Sequence, residues 1–140
     1  MLELDIPPRL KRKMIVRPFV APWKMPGMIR ASRCVVMPEH HFPVPAHSPI
    51  LPREVLACGT CLVLSDELRA KAAGGAIVGG EHAVCVRPGA TERFARTLEL
   101  LVREEETAKR IGKAGHALSR RLEDFEGYLR ANERMYRALA

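Results

Sequence analysis

The sequence contains few aromatic residues and no long apolar run, and each absence excludes a class of protein. Aromatic side chains make up 5% of the 140 residues, too few for a surface that stacks successive nucleic-acid bases. No uninterrupted apolar stretch approaches the roughly 20 residues that a membrane-spanning helix needs. Residues 1–13 also lack the apolar core of a secretory signal. We therefore expect a cytoplasmic protein.

Cysteines are scarce as well, and their spacing does not predict cysteine chemistry. Four cysteines in a chain of this length do not indicate the disulfide framework of a small secreted domain. Cys58-Gly-Thr-Cys61 has the C-x-x-C spacing, but in redox motifs the first cysteine begins a helix. Here Cys58 is predicted to end a helix, with Gly59 in the left-handed position that follows. No second pair at zinc-site spacing accompanies it, so we expect small core side chains and no metal site.

Short apolar runs alternate with helical patterns along the chain. This alternation is typical of an α/β protein with a parallel sheet. We expect one domain over residues 1–140, a partial doubly wound (Rossmann-like) parallel sheet of about four strands with a C-terminal helical tail. Residues 1–13 are predicted to be an irregular lead-in, since two prolines oppose a helix there. The predicted strands are 14–19, 34–37, 61–65 and 83–86, and the predicted terminal helices lie within 91–140.

The chain is basic, and its charge leaves several partners open. It has 23 Lys and Arg against 16 Asp and Glu, a formal net charge of +7. Such an excess attracts nucleic acid, anionic lipid or phosphorylated ligands. The tight basic run at residues 9–13 is interpreted as a solvated terminus, with peripheral membrane contact as the alternative. A basic module that binds nucleic acid or a partner protein through its helical tail is the alternative function, although the low aromatic content argues against nucleic acid.

One stretch of sequence resembles a known family. A buried strand ends at Met37-Pro38, a Pro-rich loop follows, and a helix then ends in Ala57-Cys58-Gly59-Thr60 before another apolar strand. This order resembles the second half of the C-terminal, donor-binding domain of GT-B glycosyltransferases, in particular the family 4 (RfaG-like) retaining enzymes. A strand, a Pro-Gly turn and paired helices at the end of the chain extend the resemblance, which covers about residues 14–140.

The resemblance implies a function and a donor. It implies transfer of a sugar from a nucleotide-diphosphate sugar to a saccharide, lipid or protein acceptor, with no further cofactor. Glu54 stands at the second acidic position of the family pattern, whereas Ala46 and Pro49 stand where the family has Glu and Gly. The acceptor domain and a basic phosphate-binding pair have no counterpart here. We therefore expect a fragment, or a chain that works with a second chain supplying the missing half.

The physical chemistry of helix ends predicts the same site. Ligands of open parallel sheets lie beyond the carboxyl ends of the strands, and free N–H groups at the start of the next helix bind phosphate. Glu54 can accept both hydroxyls of a ribose; the alternative is a first-turn carboxylate that only stabilises the helix dipole. No catalytic residue is predicted. The predicted nucleotide-sugar-binding residues are His47, Ser48, Pro49, Ile50, Leu51 and Glu54.

Overall fold

A computed structural model describes residues 6–41, 49–122 and 124–139. The strands are β1 (Cys34–Met37), β2 (Cys61–Ser65) and β3 (Val84–Val86). The helices are α1 (Pro8–Lys11), α2 (Met25–Arg30), α3 (Leu51–Cys58), α4 (Asp66–Lys71), α5 (Thr91–Arg103), α6 (Glu105–Leu122) and α7 (Phe125–Leu139). A 3₁₀ turn covers Pro22–Lys24, and Ala72–Gly75 forms a kinked turn in which Ala73 and Gly74 have positive φ.

The three strands form one parallel sheet in the order β1-β2-β3. Cys34 pairs with Cys61 between the first two strands, and Val63 pairs with Val84 between the last two. Helix α3 connects β1 to β2 and helix α4 lies between β2 and β3, the strand–helix–strand arrangement that parallel pairing requires. This confirms the predicted α/β class, the parallel sheet and the C-terminal helices.

The central strand β2 is buried on both faces, as its continuous apolar sequence predicts. Leu62 and Leu64 belong to a core that contains side chains from α2, α3 and α4. Cys61 and Val63 face a second core formed with α5 and the first half of α6. Helices therefore cover both faces of the sheet, as in a doubly wound fold.

The predicted strand at residues 14–19 is wrong. The segment forms no regular structure, and Phe19 is 88% exposed. A strand needs a neighbour to receive its backbone hydrogen bonds, and no described segment pairs with this one. The sheet therefore has three strands within the described residues, where about four were expected.

The N-terminal lead-in also differs from its prediction, because it contains the single-turn helix α1. Pro8 occupies the first turn of that helix. A proline is compatible with that position because the first N–H groups of a helix have no intrahelical partner. Helix α1 buries none of its residues, so it adds nothing to the core.

The helical tail packs on the sheet through its first two helices, α5 and α6. Leu101 of α5 and Ile111 of α6 are buried, and Arg33 forms a 3.0 Å ion pair with Glu105 at the start of α6. Hydrogen bonds from Arg33 and then Lys109 lower the pKa of Glu105 to about 2. Among its described side chains, α7 buries none. Within the described residues, no helix is long and apolar enough to cross a bilayer.

The C-x-x-C segment adopts the geometry predicted for it. Cys58 ends α3, Gly59 follows with φ of 71°, and Cys61 opens β2 with 2% of its surface exposed. Burial, with a smaller contribution from Cys34, raises the pKa of Cys61 to about 12. Because the thiolate is the reactive form, Cys61 is a core side chain rather than a redox group.

This burial predicts a difference in reactivity between the two cysteines. Near pH 8 we expect iodoacetamide to modify half-buried Cys58 well before Cys61, whose thiolate fraction is on the order of 10⁻⁴ for a pKa of about 12. Peptide mass spectrometry over a time course measures both rates. In guanidinium chloride the two rates should converge, and equal rates in the native protein would contradict the assignment.

Candidate functional site

A cleft opens at the carboxyl edge of the sheet, where parallel α/β proteins bind their ligands. It has a volume of about 220 Å³. Pro38 and His40 line it beyond β1, Arg87 and Gly89 line it beyond β3, and Thr91 contributes the start of α5. The floor of the cleft is thus formed by the ends of strands that flank β2.

The loop that leaves β1 is held against the end of β2. The Ser65 Oγ donates a 2.5 Å hydrogen bond to the carbonyl oxygen of Glu39 and accepts one from the Leu68 N–H. The His41 N–H donates a 2.6 Å hydrogen bond to the Glu67 carboxylate. Ser65 therefore caps α4 and also fixes the backbone beside the cleft.

The first turn of α3 presents backbone N–H groups at this same edge, because α3 follows β1 and precedes β2. The Ile50 and Leu51 N–H groups have no acceptor within the described ranges, whereas the Arg53 N–H donates to the Ile50 carbonyl. Pro52 has no N–H to offer. These two amides are the candidate contacts for an anion, and the exposed Glu54 side chain lies about one turn further along.

The structure places the described residues of the predicted site together at the start of α3, outside the cleft. Ile50 is 72% exposed at the N-cap of α3, whereas Pro49 is buried and Leu51 packs against the core. None of these residues, nor Glu54, lines the cleft at β1 and β3. His47 and Ser48 lie outside the described residues, as does Ala46.

The segment beyond β3 was missed in the prediction of the site. Arg87 is exposed directly after β3, and the turn Pro88-Gly89 leads into α5. The signal was present, because the rule that places ligands beyond the strand that ends at Met37 applies equally to the strand that ends at Val86. The site prediction used only the first of these two strands.

The parallel sheet, its helices on both faces and the cleft at its carboxyl edge define an α/β domain of the Rossmann-like type. The model of the family "Glycosyl transferases group 1" matches residues 9–117. The chain belongs to this family, and its fold is that of a GT-B glycosyltransferase domain.

A solved structure shows the same fold. Sucrose-phosphate synthase from Thermosynechococcus elongatus superposes with a TM-score of 0.64 and 20% sequence identity. The match covers 80% of this chain and 26% of that chain, so the present chain spans a small part of that protein's length. No curated protein matches the chain.

Proposed function

We propose that this chain is the donor-binding part of a glycosyltransferase that uses a nucleotide-diphosphate sugar. The observation that carries the proposal is the first turn of α3, where an exposed carboxylate and two amides with no acceptor among the described residues lie at the start of the helix that follows β1. The amides of Ile50 and Leu51 bind the diphosphate. Glu54 accepts hydrogen bonds from the two ribose hydroxyls, for which a carboxylate has enough acceptor sites.

The same groups have a role in the reaction. When the sugar is transferred, the bond between its anomeric carbon and the diphosphate oxygen breaks, and negative charge develops on the leaving diphosphate. Backbone N–H groups fixed at a helix start stabilise that charge without reorganising. His47 and Ser48, directly before this turn in sequence, are proposed to border the sugar and the phosphates.

The finer assignments follow from the resemblance of the sequence. We propose a family 4 (RfaG-like) enzyme that retains the configuration of the transferred sugar. Because the chain spans 26% of the similar synthase, a second chain or a further segment is proposed to supply the acceptor site. The acceptor is a saccharide, a lipid or a protein. Ala46, in place of the family's first Glu, is proposed to weaken contact with the donor sugar.

Calorimetric titration with UDP, GDP and ADP tests nucleotide binding. We expect heat with at least one of them, and we expect Glu54→Gln to weaken that binding by roughly 1.5–3 kcal/mol, because it removes a charge-assisted hydrogen bond. The stability of the variant should stay within about 1 kcal/mol of the parent, since an exposed first-turn carboxylate contributes little through the helix dipole.

Glu126→Gln is the matched control, because Glu126 is also exposed in the first turn of a helix, α7. It should leave nucleotide affinity unchanged. No heat with any nucleotide at millimolar concentration would refute donor binding by this chain. A Glu54→Gln variant that binds normally but melts several degrees lower would make Glu54 a structural residue.

A further inference from the structure

A second cavity lies between the start of α3 and the end of α6, and it shares none of its described lining residues with the cleft at β1 and β3. Its volume is about 260 Å³. Helices α3 and α6 touch where Gly115 lies against Leu56. The cavity opens one turn away from this contact on each helix, at Arg53 and Ser119.

The polar side chains of this cavity have unused hydrogen-bonding capacity. Ser119 is 5% exposed, and its Oγ has no hydrogen-bond partner among the described residues. Buried polar groups are nearly always paired, and a group without a partner in the protein points to a bound molecule that supplies one. Arg53 is exposed and forms no ion pair with a carboxylate in the same part of the chain.

The rest of the lining is apolar and limits the kind of ligand. It consists of Ile50, Leu56, Ala73 and Leu122. The cavity is smaller than the roughly 300–1,000 Å³ of pockets for drug-sized molecules, so its ligand is small. A sugar would bury several hydroxyl groups, each of which needs a partner, and the lining offers only two polar side chains.

We propose that this cavity binds a small monocarboxylate with an apolar body. The carboxylate accepts hydrogen bonds from the Arg53 guanidinium, whose planar fork matches it, and from the Ser119 hydroxyl. Its hydrocarbon part lies against Leu56 and Leu122. An inorganic anion would leave this apolar wall without a contact. The inference does not depend on nucleotide binding by Glu54 and the amides of α3.

Calorimetric titration with hexanoate and with benzoate tests the proposal. We expect heat with at least one of them at millimolar concentration, and little heat with hexanol or benzyl alcohol, which lack the charge. Arg53→Gln should weaken carboxylate binding roughly 10- to 100-fold, the range for a hydrogen bond to a charged group. Arg93→Gln is the matched control, because Arg93 is also exposed at the third residue of a helix, α5, and it should leave binding unchanged.

Ser119→Ala distinguishes a ligand contact from a structural role. Without carboxylate, this variant should melt at the same temperature as the parent or slightly higher, because it removes a buried hydroxyl that has no partner. It should nevertheless bind the carboxylate roughly tenfold more weakly. A side chain that only stabilised the fold would change these two measurements in the opposite way.

Three results would overturn the proposal. The absence of heat with both carboxylates would mean that the cavity does not take this class of ligand. Parent-like affinity in Arg53→Gln and Ser119→Ala would place the bound carboxylate elsewhere on the chain. A lower melting temperature of Ser119→Ala without ligand, together with unchanged affinity, would show that the hydroxyl is satisfied within the protein.

Discussion

Leu62→Ala should lower the free energy of unfolding by about 3–5 kcal/mol, the cost of a large cavity in a core that cannot collapse around it. Leu62 lies in the central strand β2, is completely buried, and has neighbouring strands on both sides. Rigid backbone on each side prevents the surrounding groups from filling the space. Chemical denaturation with a circular dichroism signal measures the change.

Leu100→Ala is the control for this prediction. It removes the same atoms from α5, where Leu100 is 47% exposed, and surface substitutions of this kind stay within about 0.5 kcal/mol of the parent. Similar losses for both variants would contradict the assignment of β2 as the centre of the fold. Because a domain of this size is stabilised by only about 5–15 kcal/mol, the Leu62 variant should be close to its folding limit.

Gly112→Ala is expected to cost about 2–3 kcal/mol, although alanine is the better helix former. Gly112 lies in α6, where the helix packs on the turn between α3 and β2. A Cβ at this position would collide with the carbonyl oxygen of Gly59 and approach the backbone nitrogen of Cys61. Backbone atoms cannot rotate away, so the helix must move from the sheet, and this penalty exceeds the helix-propensity gain of about 1 kcal/mol.

Gly27→Ala provides the matched substitution in α2, where an added Cβ would meet no atom within 4 Å. That variant should be neutral or slightly stabilised, since only the helix-propensity gain applies. Thermal unfolding of the two variants separates the effects. Equal melting temperatures for Gly112→Ala and the parent would show that α6 does not pack closely against Gly59.

The close approach of α6 links this fold to the proposed function. Gly115, one turn after Gly112, lies against Leu56 of α3, where a Cβ would come within 2.7 Å of the Leu56 Cδ2. Helix α3 carries the proposed diphosphate and ribose contacts at its other end. The two glycines of α6 therefore position the helix on which the donor is proposed to bind.

The prediction of the site used only residues that are close together in sequence. It therefore found one segment at the carboxyl edge of the sheet and missed the other. The start of α3 could be found because a proline-rich loop followed by Glu54 and a small-residue helix end is a pattern within a dozen residues. The rule for strand ends marks Pro38 and Arg87 separately but does not bring them into one cleft, because they are distant in sequence and meet only when β1 and β3 flank β2. Sheet order is a tertiary property.

The sequence by itself determined the α/β class, the positions of the three strands and the helix that ends at Cys58, directly before Gly59. Each of these depends on residues a few positions apart, through apolar runs and the left-handed conformation that glycine tolerates. Only the tertiary structure decided that residues 14–19 form no strand, although their apolar side chains predict one. A strand forms when a neighbouring backbone completes its hydrogen bonds, and within the described residues β1 has β2 alone as its neighbour.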